Sequence, residues 1–226
     1  MKRTERNYNR RYSHEYNWFR TLFYMAFTWI VVQTFFAVFY DYKITGRENL
    51  SSHNRKSDKF IYTANHVSIF DPPLVTLAVM RPIAYMAKKE LFEPQEKLQW
   101  LIKRLGAFAV NRSKPEIATF KTVHDILSTS WSLGVFPQGG TRPYGKLDEL
   151  KKGFVVIAKH SKADIIPVAI DKFSGYPKLK PFTRQKVEVH IGKPISYELS
   201  EDEIIYQWRR QISEMADYEN LILEPV

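Results

Sequence analysis

Nineteen consecutive positions, Leu22 to Tyr40, carry no charge, and only Thr28, Gln33 and Thr34 interrupt their apolar and aromatic character. Wound as a helix they measure about 28 Å, close to the hydrocarbon thickness of a bilayer. Beyond them the pattern changes to short β-rich apolar runs separated by longer amphipathic stretches. Strands are predicted at 59–64, 82–87, 107–110, 133–136, 165–170 and 187–191. Helices are predicted from Asp71 toward Val79, over 94–105, over 115–130, over 147–162, and from 200 onward. The Asp71-Pro72-Pro73 run has the look of a helix start, with Asp71 as N-cap and proline at the first helical position. Ser200 and Glu203 form a capping box for the last helix.

Strands alternating with helices of ten or more residues define an α/β protein, a layered and mostly parallel sheet flanked by helices. The organisation expected is an N-terminal membrane-associating helical segment, residues 1–42, followed by a single domain, residues 43–226. In sheets of this kind ligands collect beyond the carboxyl ends of the strands. The polar clusters at 65–71, 111–112 and 137–142 fall there.

Charge changes the picture at the amino end. Six of the first twenty residues are Lys or Arg, interleaved with Tyr8, Tyr12, Tyr16, Trp18 and Phe19, and the whole chain of 226 residues carries a formal net charge of +10. Such a surface suits phospholipid headgroups, acidic carrier proteins or nucleotide phosphates. Nucleic acid is not expected, because no recognition motif accompanies the charge. No small-residue cleavage site follows the apolar run, so it is not read as a signal peptide. The positive-inside rule keeps the basic end in the cytoplasm, and one full span would then place the domain outside, away from cytoplasmic substrates. Monotopic attachment at the cytoplasmic face of the cell membrane is therefore expected, with a single anchoring helix as the alternative. The chain has no cysteine, which removes disulfides, zinc–thiolate sites and an acyl-cysteine intermediate.

Among the polar clusters, His66 and Asp71 flank Val67-Ser68-Ile69-Phe70. On one regular helix they would lie about 140° apart. A turn at a helix start can instead fold the carboxylate back onto the imidazole, fixing its tautomer and leaving the second ring nitrogen as a base. Taken alone the pair is equally compatible with a structural role. No second His or Cys stands at ligand spacing, so a metal site is not expected. Ser68 lies too close to His66 for activation, and there is no Gly-x-Ser-x-Gly elbow. Phe136-Pro-Gln-Gly-Gly-Thr-Arg142 follows a strand; its glycines allow backbone N–H groups to converge on an anion, and Arg142 offers a guanidinium fork. Arg112 follows another strand and is a second candidate for phosphate. A solvated loop arginine remains the alternative for both.

Together these segments resemble the 1-acyl-sn-glycerol-3-phosphate acyltransferase family, the NHxxxxD glycerolipid acyltransferases, over roughly residues 43–215. Asn65 to Asp71 matches the NHxxxxD block. Lys88-Lys-Glu-Leu-Phe92 with Gly106 to Arg112 looks like the second block, Phe136 to Arg142 like the FPEGTR block, and Ile166-Pro-Val-Ala169 like the fourth. Val189 to Ile195 is similar to the closing strand. The resemblance implies His66 as general base with Asp71 orienting it. It also implies substrate contacts from Asn65, Lys88, Arg112, Gln138, Gly139, Gly140, Thr141 and Arg142. The donor would be acyl-CoA or an acyl-carrier protein and the acceptor a lysophospholipid in a membrane, with no metal or prosthetic cofactor. One position departs from the pattern: the glutamate of the third block is Gln138 when aligned from Phe136, or Gly139 when aligned back from Arg142. Its carboxylate is absent either way, and an acceptor other than lysophosphatidic acid stays open, as do a thioesterase and a non-catalytic lipid-binding protein.

Overall fold

The computed structural model describes residues 10–53, 59–92, 96–110, 116–145, 147, 150–173, 184–216 and 218. Its centre is a seven-stranded sheet: β1 (Tyr40–Thr45), β2 (Phe60–Ala64), β3 (Ile83–Lys88), β4 (Phe108–Val110), β5 (Ser132–Val135), β6 (Asp164–Asp171) and β7 (Gln185–Ile191). The spatial order is β1-β7-β6-β2-β5-β3-β4. The five strands from β6 to β4 run parallel, β7 runs against β6, and β1 runs alongside β7. Six strands fall where the apolar runs predict them.

Strand β1 has no counterpart among the predicted elements. It begins at the last residue of the uncharged run, with no glycine or proline to mark a break, and the 42/43 position lies inside it. Its period-two order is nevertheless present, because Tyr40 is fully buried while Asp41 is exposed.

Helices α3 (Asp71–Val79), α4 (Glu96–Arg104), α5 (Ile117–Leu127), α6 (Gly153–Ser161) and α7 (Glu201–Met215) supply the outer layers. Alternate strand residues serve two cores. Ile61, Ile165 and Ala169 join Val123, Phe154 and Trp208 on one side, while Tyr62, Ile166 and Val168 join Leu74, Ala78 and Phe36 on the other. Two apolar faces on one sheet explain why β2 reads as an unbroken apolar run. Helix α6 starts later than expected: Leu147 and Leu150 are buried in the first core as loop residues, ahead of the helix. The Ser200 hydroxyl accepts from Glu203 N–H at 3.2 Å and caps α7 as expected.

The N-terminal apolar run is one continuous helix, Trp18–Phe39. It consists of α1 (Trp18–Phe27), a π-helical turn at Thr28–Val32, and α2 (Gln33–Phe39). Tyr24, Thr28, Val32 and Phe36 form its buried stripe. A spacing of four drifts by about 40° per step around a regular α-helix. The wider π turn, in which Gln33 N–H reaches back to Thr28 O, cancels part of that drift and keeps the stripe on the domain. At its start the helix sits under the amino ends of the strands, where the Tyr24 hydroxyl bonds Thr76 Oγ1 at 2.7 Å and donates to Ile83 O at 3.2 Å. At its end Phe35 stacks on Phe70, ring centroids 5.3 Å apart. Trp18, Phe19, Leu22, Trp29, Ile30 and Val38 face outward.

Candidate active site

The site is assembled at the carboxyl edge of the sheet. Asn65 directly follows β2 and continues its pairing with β6 through the side chain: Oδ1 accepts from Ile170 N–H at 2.7 Å and Nδ2 donates to Ile170 O at 2.9 Å. The second Nδ2 hydrogen goes to the Tyr218 hydroxyl at 2.6 Å. Both amide donors are thereby engaged and the residue is fully buried. Asn65 splices the His66–Asp71 turn to the sheet through its contacts with Ile170 and Tyr218.

From there the chain turns sharply into α3. Phe70 is the N-cap and Asp71 the first helical residue, one position later than the capping role expected for Asp71. The displacement has a physical cause. The carboxylate does not cap its own helix; it reaches back into the turn, where a single oxygen, Oδ2, accepts from Val67 N–H (2.7 Å), Ser68 N–H (2.8 Å) and His66 Nδ1 (2.6 Å). An ionised carboxylate only accepts, so this contact places the proton on Nδ1 and leaves the Nε2 lone pair free to act as a base. Asp71 is wholly buried. Burial pushes its carboxyl above the ordinary carboxylate range, against the opposing pull of His66 and the two backbone donors.

The imidazole is also held by its face. Phe136 stacks on it at 4.1 Å, with 23° between the planes, and Tyr85 stacks on Phe136 at 5.9 Å. Tyr85 lies so close to Gly134 that a Cβ there would meet its ring at 2.4 Å. The Tyr85 hydroxyl donates to Pro72 O at 2.9 Å, tying the stack to the start of α3.

Two hydrogen bonds join the loop after β5 to the His66–Asp71 turn. His66 N–H donates to Gln138 Oε1 at 2.8 Å, and Arg142 N–H donates to His66 O at 2.7 Å. It is the Gln138 side chain, buried to 1 % exposure, that reaches the His66–Asp71 turn. Gly139 serves the path of the loop. Gly139 adopts φ +71°, a left-handed conformation that favours glycine. Its N–H closes a turn on Phe136 O at 3.0 Å, so neither this amide nor that of Arg142 is directed at a ligand. Gly140 runs beside the arginine, where an added Cβ would lie 3.7 Å from Arg142 Nη1. Thr141 is exposed and Arg142 half-buried. Lys88 ends β3, exposed at the same edge. Arg112 lies outside the described residues.

A turn donor left without its acceptor should weaken this join. Gln138→Ala is expected to lower the melting temperature and the turnover number together, since a buried N–H without a partner costs about 1–3 kcal/mol. Gln138→Glu keeps an acceptor oxygen and is expected to retain activity far better. Side-by-side melting curves and initial rates check both.

Among the described residues, Asp171, Glu188 and His190 also gather ligand-type atoms within 4.8 Å of one another. Lys172 Nζ lies 2.7 Å from Glu188 and 3.7 Å from Asp171 and supplies that cluster with its own cation.

An imidazole oriented by a buried carboxylate at the carboxyl edge of a mostly parallel sheet, with Arg142 bonded to the same turn through its backbone N–H, is suited to removing a proton from a hydroxyl. That is the chemistry of a group-transfer enzyme working without a covalent cysteine. Residues 41–171 match the Acyltransferase family. The chain is 33% identical over 159 residues to a 1-acyl-sn-glycerol-3-phosphate acyltransferase of Bacillus subtilis, covering 68% of this chain and 73% of that one. Against the protein of the same description from Streptococcus pneumoniae it is 31% identical over 157 residues, 65% and 56% of the two lengths. The solved structure of the 1-acyl-sn-glycerophosphate (LPA) acyltransferase PlsC from Thermotoga maritima superposes with a TM-score of 0.67 at 26% identity, covering 86% of this chain and 80% of that one. The chain belongs to the Acyltransferase family, has the PlsC-like fold, and is an O-acyltransferase.

The residues that sequence reasoning misses are those behind the site. Tyr85 and Phe136 shape the imidazole's surroundings, and Tyr218 meets Asn65 across 153 positions of chain. A glycine inside β5 is a sequence-level trace of the first; nothing in the sequence announces the last.

Proposed function

We propose that the protein moves a fatty acyl chain from a thioester donor, acyl-CoA or acyl-carrier protein, to the free hydroxyl of 1-acyl-sn-glycerol 3-phosphate. The product is phosphatidic acid, for phospholipid synthesis. The observation that carries this reading is the His66–Asp71 pair with Arg142 bonded to the same turn through its backbone; the relatives' descriptions support the acceptor. His66 Nε2 takes the hydroxyl proton as the oxygen attacks the thioester carbonyl. The tetrahedral adduct then expels the thiolate, which recovers the proton from the imidazolium. Asp71 stabilises that imidazolium. Arg142, with Arg112 as the second cation, holds the acceptor phosphate so that its hydroxyl stands beside the carbonyl. No metal or prosthetic group is required for these steps.

The reaction takes place at the cytoplasmic face of a membrane. Support comes from the Trp18–Phe39 helix, which has mean hydropathy 1.8 over its most apolar window, of which only 22% is buried in the protein. Because its inner stripe packs on the catalytic domain, the helix is better placed to lie in one leaflet than to cross the bilayer alone. The basic balance of the chain favours anionic lipid and either acidic donor.

The test is a panel of acceptors offered in phospholipid vesicles with one acyl-CoA and one acyl-carrier protein donor, products identified by mass spectrometry. Transfer to 1-acyl-sn-glycerol 3-phosphate in preference to glycerol 3-phosphate, other lysophospholipids and phosphate-free alcohols is the expected result. Preference for another acceptor would overturn the assignment of lysophosphatidic acid and leave O-acyl transfer intact.

A further inference from the structure

Arg142 sits in a glycine-rich loop: Gly139 and Gly140 precede it and Gly145 follows, with φ of +71° at Gly139 and +86° at Gly145. No bulky group crowds Gly145, where an added Cβ would meet nothing within 4 Å. On its near side the loop is tied to the catalytic turn by the bonds from His66 and Arg142 described above. Its far side is held by Tyr144, two residues beyond the arginine. The Tyr144 hydroxyl donates to the Asp171 carboxylate at the end of β6. Its ring packs on Tyr218 at 5.2 Å. Tyr218 in turn accepts from Asn65 at 2.6 Å, the residue that precedes His66. The outer edge of the loop and the root of the His66 turn therefore share one anchorage, although Tyr144 itself is 40 % exposed. Asp171 and Tyr218 are only 4 % and 5 % exposed. Burial, with the Asp171 carboxylate adding to it, pushes the Tyr144 phenol up to about 12, so it remains a donor across the neutral range.

We propose that Tyr144, clasped by Asp171 and Tyr218, is a positioning residue that fixes Arg142 relative to His66 and thereby sets affinity for the acceptor phosphate. This rests on the reading of Arg142 as the phosphate-binding group. A loop rigid in the right place meets the phosphate without first being ordered, so the clasp should act on acceptor KM more than on kcat.

Two measurements on the whole 226-residue chain test the proposal. In amide hydrogen exchange followed by mass spectrometry, Tyr144→Phe is expected to speed exchange of the peptide containing residues 139–145 about fivefold or more, because its hydrogen bond to a carboxylate is lost. Asp171→Asn, which keeps an acceptor oxygen, should loosen it less than Asp171→Ala. In kinetics with 1-acyl-sn-glycerol 3-phosphate, Tyr144→Phe is expected to raise acceptor KM about fivefold with a smaller change in kcat, and to add nothing further in an Arg142→Ala background. Unchanged exchange in Tyr144→Phe would overturn the clasp whatever the acceptor. Equal KM effects with and without Arg142 would show that Tyr144 does not act through the arginine and would overturn its positioning role. If exchange responds while the wild type ignores lysophosphatidic acid, the clasp stands and the acceptor assignment falls.

Discussion

Replacing His66 by Ala is expected to lower kcat for acyl transfer by about 10²–10⁴-fold, the range for removal of a positioned base, and to leave acceptor KM close to its wild-type value. The asymmetry follows from geometry. Arg142 reaches the catalytic turn through its backbone N–H to His66 O, a contact that the alanine substitution keeps. The variant carries a second signature in its stability. Asp71 is already raised above its ordinary value of 3.8 by burial, and His66 is the leading influence opposing that rise. Without the imidazole the folded-state value rises further. A carboxyl raised on folding lends stability that is fully present below the unfolded value and is lost as pH climbs through the folded one. The melting temperature of His66→Ala should therefore fall progressively behind the wild type as pH is raised from about 4 toward neutrality. Near-normal transfer by His66→Ala would remove it as the base.

Asp71→Asn is expected to lower kcat on the order of 10²–10³-fold, with no loss of melting temperature at neutral pH. An asparagine oxygen in place of Oδ2 still accepts from Val67, Ser68 and His66, so the turn keeps its shape. What it lacks is the negative charge that steadies the imidazolium in the transition state. Removing a fully buried charge also removes a desolvation cost, which offsets the amide's own imperfect fit. Asp71→Ala is the control: it leaves the two backbone donors without an acceptor and should lower both rate and stability. Paired kinetics and calorimetry separate the two substitutions. An Asp71→Asn enzyme with wild-type kcat would mean that the carboxylate only shapes the turn.

How far the molecule could be read from its sequence depended on the range of the interactions involved. Period-two and period-3.6 patterns report local burial, and β2, β6, α3 and α7 were legible because each buries a continuous face of its own. Strand β1 was hidden by the helix fused to it, and the later start of α6 by Leu147 and Leu150, apolar residues that reach the core from a loop. In the site, the spacing of His66 and Asp71 already ruled out a regular helix and required a turn. The purpose of Asn65 was not legible. Among polar residues before a histidine it looks like a substrate contact, yet its partners, Ile170 and Tyr218, lie 105 and 153 positions away. Gln138 raised the opposite problem, because the loss of a carboxylate suggested altered acceptor binding. Its amide oxygen instead supports the backbone of His66.

The most direct measurement is a stoichiometric time course. Purified protein in vesicles receives acyl-CoA with and without 1-acyl-sn-glycerol 3-phosphate, while released thiol, free fatty acid and phosphatidic acid are quantified together. Thiol release that depends on the acceptor and matches phosphatidic acid mole for mole, with little free fatty acid, is the expected result. Full-rate fatty acid release without acceptor would contradict direct transfer and make the protein a thioesterase.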